Sequence, residues 1–458
     1  MSSPRVGVTP PSLRAEPVYA PSPMERRGTT TAKVPPEAAG PRVLRRGTAV
    51  TAVLLAVLGW VLLPAARADD DPATAATRAS LERIRQQRHE RPGDGLLAYY
   101  ESIFRLRLGE RDAALELLRG LAGRRLGIVP VRDVGFDELW DDPEFRAIRA
   151  RLAAEEERTP ASPVVFRLGD PKLIPEGIAY DPEGARFFLG SIAQRKIVVT
   201  SATGQGTRDF SRPDDRLDPV LGLTVDAGGR HLYAVTTNGF EDAARTRRRN
   251  AVVRYDLKSG RLVDRWDAPE ALQLNDLAVA ADGTVYATDS IGGRLFRRSP
   301  GKDALTPFGA AGTLRGANGI ALSPQGDLYV AISTGIARVD TVTGEAVRVP
   351  QPDTVVTGGC DGLYWFRGDL IGVQNVTNPG RVVRIVLADK GTRVEGLQVL
   401  QSSHHPEFDE PTTGALARDV LYVIANSHVG HSQPDGTIRD PDELRGTAIV
   451  AVPLRQAR

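Results

Sequence analysis

Beyond Pro163 the chain alternates short apolar runs with clusters of Asp, Pro and Gly, and the same alternation recurs six times. The copies run over Glu176 to Gly184, Leu221 to Gly229, Asn275 to Gly283, Asn318 to Gly326, Asp361 to Gly368 and Thr413 to Asp419. Their first residues are 45, 54, 43, 43 and 52 positions apart, the period of a four-stranded propeller blade with loops of variable length. Strands of period two follow, among them His231 to Val235, Thr284 to Thr288, Asp327 to Ala331 and Val420 to Ile424, and the Asp-Gly and Gly-Gly pairs supply the positive φ that tight hairpins need. The pattern predicts a mainly β fold, a six-bladed β-propeller over residues 164–455. The strand Val164 to Leu168 is predicted to pair with Thr447 to Val452, which closes the ring and hides two sheet edges.

Upstream the spacing changes to three and four. Gly95 to Phe104 and Asp112 to Leu121 read as helices, with Gly109 to Asp112 supplying the turn and a helix cap. The stretch Phe136 to Arg149 extends this small helical domain, residues 72–157, which resembles a tetratricopeptide repeat. It is read either as a module for a protein partner or as a helical cap packed on the main domain. Residues 1–46 are rich in Pro, Ser, Thr and Arg without apolar periodicity and are expected to be a disordered basic tail. Arg45 and Arg46 precede the uncharged run Gly47 to Leu63 and the small-residue site Ala66 to Ala68, so residues 47–68 read as a signal peptide. The alternative is an uncleaved membrane anchor over residues 47–63. Met24 offers a second start, and both readings place the folded part outside the cytoplasm, periplasmic or extracellular.

Composition narrows the chemistry. Lys and Arg number 59 against 57 Asp and Glu, so no net field draws the chain to nucleic acid. The basic run Arg245 to Arg249 carries no interleaved aromatic residue and reads as a solvated loop. Cys360 is the sole cysteine, which excludes an internal disulfide and a cysteine-rich zinc site. It reads as a partly buried structural thiol.

The position opening each repeat precedes the innermost strand, so these six side chains are expected to converge on the central channel. Four of them, Glu176, Asn275, Asn318 and Asp361, carry oxygen donors. Two carboxylates and two amides match the oxygen-only coordination that calcium prefers, whereas zinc would call for His or Cys.

Around these positions, the segments Ile174 to Asp181, Gly316 to Gly326 and Cys360 to Tyr364 resemble the regucalcin and gluconolactonase family of six-bladed lactonases. Leu274 to Val279 with Tyr286 to Ser290 is similar to the matching blade of paraoxonases. The resemblance implies that Glu176, Asn318 and Asp361 bind a divalent metal, with Asn275 as a further ligand or a substrate contact. It also implies that Asp361 serves as general base in opening a lactone.

The six histidines leave the paraoxonase pattern. His404 and His405, on the approach to the sixth repeat, are candidates for a base or a substrate contact, with a polar rim loop as the alternative. Gln374, Asn375, Asp289 and Ser290 close second strands and read as turn formers or as partners of a ligand. The leading function is therefore a calcium-dependent hydrolase acting on a small lactone or ester. The runner-up is a non-catalytic propeller that binds a sugar, peptide or protein around a structural calcium.

Overall fold

The computed structural model describes residues 71–241 and 247–455. The tail 1–46, the apolar segment 47–68 and part of the basic run Arg245 to Arg249 lie outside them. Among the described residues no helix is long and apolar enough to cross a membrane.

Among the described residues, twenty-four strands form six four-stranded antiparallel sheets. The first five blades take their strands in chain order: β2 (Pro175–Asp181) to β5 (Arg208–Asp209), then β6 (Val220–Val225) to β9 (Arg261–Asp267). They continue with β10 (Leu274–Val279) to β13 (Thr306–Phe308), β14 (Ile320–Leu322) to β17 (Ala346–Arg348), and β18 (Cys360–Phe366) to β21 (Arg393–Gln401). The sixth combines β22 (Gly414–Ala417), β23 (Val420–Ile424) and β24 (Ala448–Pro453) with β1 (Val164–Arg167) from the other end of the domain. Val164 pairs with Val450 and Phe166 with Ile449, so the ring closes as the sequence pattern predicts. The blades hold together by stacking apolar faces. Phe188, Val199, Ala234 and Val253 share one core between the first two, and Val330, Ala337 and Tyr286 share another between the third and fourth. Such burial stabilises at roughly 25 cal/mol per Å² of apolar surface.

Among the described residues, four helices precede the ring: α1 (Pro72–Glu90), α2 (Gly95–Arg107), α3 (Arg111–Arg119) and α4 (Pro143–Ala154). Asp71, Asp94 and Asp142 cap α1, α2 and α4, each accepting two backbone N–H bonds; side chains of this kind satisfy donors that a helix start leaves free. The expected cap at Gly109 to Asp112 is corrected. Gly109 makes the turn with φ +78, but Glu110 stands at the start of α3 without a side-chain bond and Asp112 lies inside the first turn. The stretch Phe136 to Arg149 is helical, a single tight turn at Asp137–Leu139 followed by α4. Leu96, Tyr99, Ile103, Leu118, Phe136 and Phe145 form the helical core, and Val356 and Val376 of the propeller complete it. The helices are thus seated on the loops of the fourth and fifth blades.

Candidate functional site

The innermost strands β2, β6, β10 and β18 each carry a register break within their first residues. It falls between Pro175 and Gly177, Val220 and Leu223, Leu274 and Leu277, and Cys360 and Gly362. A bulge adds a residue to one strand and re-aims its side chain. Glu176, Leu221, Asn275 and Asp361, the positions that open the repeats, lie inside these breaks, joined by Gly222 in β6 and Asp276 in β10.

Contacts link these positions around the channel. A Cβ on Gly177 would lie 2.0 Å from the Leu221 carbonyl oxygen, and one on Gly222 would lie 2.9 Å from that of Asn275. Asn318 donates through Nδ2 to Asp361 Oδ1 at 2.5 Å, and Thr413 donates through its hydroxyl to the Glu176 carbonyl at 2.5 Å. Glu176, Asn275, Asn318 and Asp361 are all at most 8% exposed. Asn375 Nδ2 donates to the other Asp361 oxygen at 2.7 Å, while Asn275 Nδ2 donates to Ser290 Oγ at 3.1 Å. Asn375 and Ser290 therefore do more than end strands. Gln374 donates to the Val356 and Gly358 carbonyls in the loop that enters β18, and Asp289 accepts from Gln273 N ahead of β10 and from Gly292 N in its own turn.

One residue of this region escaped the sequence reading. The position after each ring residue is Gly177, Gly222, Asp276, Gly319, Gly362 or Gly414, five glycines and one aspartate. The glycines let neighbouring strands approach; a Cβ on Gly319 would sit 2.5 Å from the backbone nitrogen of Leu363. Asp276 is the lone side chain in that layer. It accepts N–H bonds from Leu277 at 2.8 Å and Ile320 at 3.2 Å. The signal was the single break in a glycine column of the aligned repeats. Asp276 borders a cavity of about 370 Å³ that follows the channel past Leu223, Leu322, Tyr364, Trp365 and Leu416.

Glu176, Asp361 and Asp276 lie near enough along the channel to act on one another electrostatically. Burial pushes the Glu176 carboxyl well above its usual range, and Asp361 and Asp276 add repulsion. Burial also raises Asp361, against the opposing pull of its bonds from Asn375 and Asn318. Asp276 is pushed up to about 7 by burial, opposed by its two backbone N–H bonds; its partial opening to the cavity moderates that rise through solvent screening. No cationic side chain offsets these effects. Glu176 Oε2 and Asn318 Oδ1 are buried without a hydrogen-bond partner, an arrangement that costs free energy unless something supplies positive charge. A divalent cation with a preference for oxygen fits this donor set. Among the described residues no three His, Cys, Asp or Glu side chains stand together as a chelating group. Two carboxylates, Glu176 and Asp361, and the amides of Asn318 and Asn275 would have to hold the ion.

The histidines stand apart. His405 is buried, with Nε2 bonded to the Ser162 carbonyl at 2.8 Å and Nδ1 accepting from Glu407 N at 3.1 Å. Both ring nitrogens are committed, so it staples a rim loop to the segment before β1. His404 is exposed on the same loop. Cys360 is buried, its thiol pushed up to about 12 by burial, as suits a structural residue. In the described half of the basic run, Arg248 bonds to the carbonyls of Asn238, Gly239 and Glu241, and Arg249 pairs with Asp218 at 2.6 Å.

No family model and no curated protein matches this chain. Solved structures do. The major allergen Mala s 1 of Malassezia sympodialis superposes with a TM-score of 0.50 at 15% identity, over 63% of this chain and 94% of the allergen. The calcium-binding protein regucalcin of Agrobacterium tumefaciens matches at 17% identity with a TM-score of 0.43, over 65% of this chain and 97% of its own. A gluconolactonase of Xanthomonas campestris matches at 18% identity with a TM-score of 0.41, over 66% and 99%. At such identities the likeness concerns the fold, and the strand order within each sheet agrees with it: the chain is a six-bladed β-propeller with a helical unit seated on one face.

Proposed function

We propose that this protein is a hydrolase of lactones or related esters that depends on a divalent cation, calcium by preference, held on the channel axis by Glu176, Asn318, Asp361 and Asn275. The observation that carries the reading is the pair of orphaned oxygens, Glu176 Oε2 and Asn318 Oδ1, enclosed beside Asp361 with no cationic side chain to offset the charge. When bound, such an ion polarises a carbonyl and stabilises the negative charge that develops on its oxygen.

The chain's own residues supply the rest. Amide N–H groups from Asn318 and Asn375 fix the Asp361 carboxylate, and burial raises its proton affinity. It is thereby suited to take a proton from an attacking water. Ser290 fixes the Asn275 amide by accepting from Nδ2. If residues 47–68 direct export, the reaction runs outside the cytoplasm on a small-molecule substrate.

The closure of the ring, with none of the four residues above 8% exposure, favours one other reading: an ion that only ties the blades together in a propeller that binds a sugar, peptide or protein. A panel of lactones and aryl esters, assayed with calcium and with chelator, separates the two. The hydrolase reading expects at least one substrate to be opened only with calcium, and Asp361→Ala to lower that rate by about 100-fold or more, the scale of a lost general base. Calcium binding without turnover of any substrate would transfer support to the binding propeller.

A further inference from the structure

The turn between β19 (Asp369–Gln374) and β20 (Arg381–Ala388) faces two ways. On one side Asn375 donates to Asp361 Oδ2 at 2.7 Å and to the Pro411 carbonyl at 2.9 Å, so a single amide ties the fifth blade's carboxylate to the loop that enters the sixth. On the other side the next residues belong to the helical unit's interface. Val376 is 1% exposed inside the helical core, and its carbonyl accepts from the Tyr99 hydroxyl at 3.2 Å. Val129 N donates to the Thr377 carbonyl at 2.8 Å, and Asn378 Nδ2 donates to the Gly127 carbonyl at 3.3 Å. At the base of the turn the buried Arg381 donates to Gln374 Oε1 at 2.8 Å and lies against Gly127, where a Cβ would meet its guanidinium at 1.7 Å.

We infer that Asn375 is a positioning residue for Asp361, and that the helical unit sets its place by gripping the turn through Tyr99, Val129 and Gly127. The inference rests on the reading of the axial ring as a cation site, and it gives the helices a task at that site. Asp361 can accept a hydrogen bond on Oδ2 only while Asn375 stands where it does. A short turn fixed at Val376, Thr377 and Asn378 cannot drift without moving Asn375. Residues that orient a metal ligand without touching the ion commonly cost 10- to 100-fold in affinity when removed.

Two tyrosines of α2 provide a matched comparison. Tyr99 bonds to Val376 beside Asn375, whereas Tyr100 donates an equivalent bond to the Ser333 carbonyl of the fourth blade at 3.0 Å. Calcium binding is measured by calorimetry on the full chain and on Asn375→Ala, Tyr99→Phe and Tyr100→Phe. We expect Asn375→Ala to weaken calcium by about 10-fold or more, Tyr99→Phe to weaken it by a smaller factor, and Tyr100→Phe to leave it unchanged even where both tyrosine variants melt earlier. Equal binding by Asn375→Ala and the native chain overturns the inference, and equal losses in the two tyrosine variants overturn the part given to the helices. If the native chain binds no calcium, the cation reading itself fails, and crystal structures of the native chain and Asn375→Ala decide the positioning. An Asp361 carboxylate turned away from Asn318 in the variant supports the role, and an unmoved one refutes it.

Discussion

Glu176 and Gly177 show how two adjacent residues can carry different parts of a site. The first lies in a bulge that turns its carboxylate to the channel, and the second has no side chain because the Leu221 carbonyl of the next blade occupies that space. Gly177→Ala puts a carbon 2.0 Å from a backbone oxygen, a contact that only a shift of the inner strands can relieve. We expect a loss of about 1–3 kcal/mol or more, read as a lower urea midpoint, and weaker calcium binding because the same shift moves Glu176. A variant with native midpoint would show that the strands separate without cost. The oxygen donors were legible in the sequence because the repeats align them. Asp276 was not, since an aspartate in a column of glycines reads as an ordinary turn residue.

At the level of elements, closure depends on β1, four residues taken from the start of the domain and paired with β24. Phe166 is its anchor: it is 7% exposed and packs its ring 5.4 Å from that of Phe187 in the first blade. Phe166→Ala should cost about 3–5 kcal/mol, the usual range for emptying an aromatic site in a core. A chemical-denaturation series would read this directly, and a loss below 1 kcal/mol would mean that the ring stays closed without β1. Strand pairing across the ends was visible in the sequence as two apolar runs without other partners. Bulges were not visible, because they are properties of backbone register and any residue type can occupy one. The seat of the helices was hidden for a related reason. Val356, in the loop from the fourth blade to the fifth, and Val376, in a turn of the fifth, complete the helical core with no periodicity to mark them.

Across the whole molecule the dominant feature is negative charge enclosed on the channel axis. Glu176, Asp361 and Asp276 all have proton affinities raised by burial in the fold. Relative to the unfolded chain, the folded one therefore holds extra protons above the ordinary carboxylate range of about pH 4. The stability this contributes is complete at low pH and is lost as pH rises through the raised values, about 7 for Asp276. In metal-free protein, urea unfolding from pH 5 to 7.5 should show a steeper decline for the native chain than for the double variant Glu176→Gln, Asp361→Asn, and calcium should reduce the decline. Superimposable pH profiles would mean that these carboxylates carry no strain.

The axial ring itself is tested most directly by titrating calcium into the metal-stripped full-length chain in a calorimeter beside the same double variant. A cation site built from Glu176, Asn318, Asp361 and Asn275 predicts one binding event per native chain and none in the variant. Equal binding by both, or none by the native protein, would contradict it.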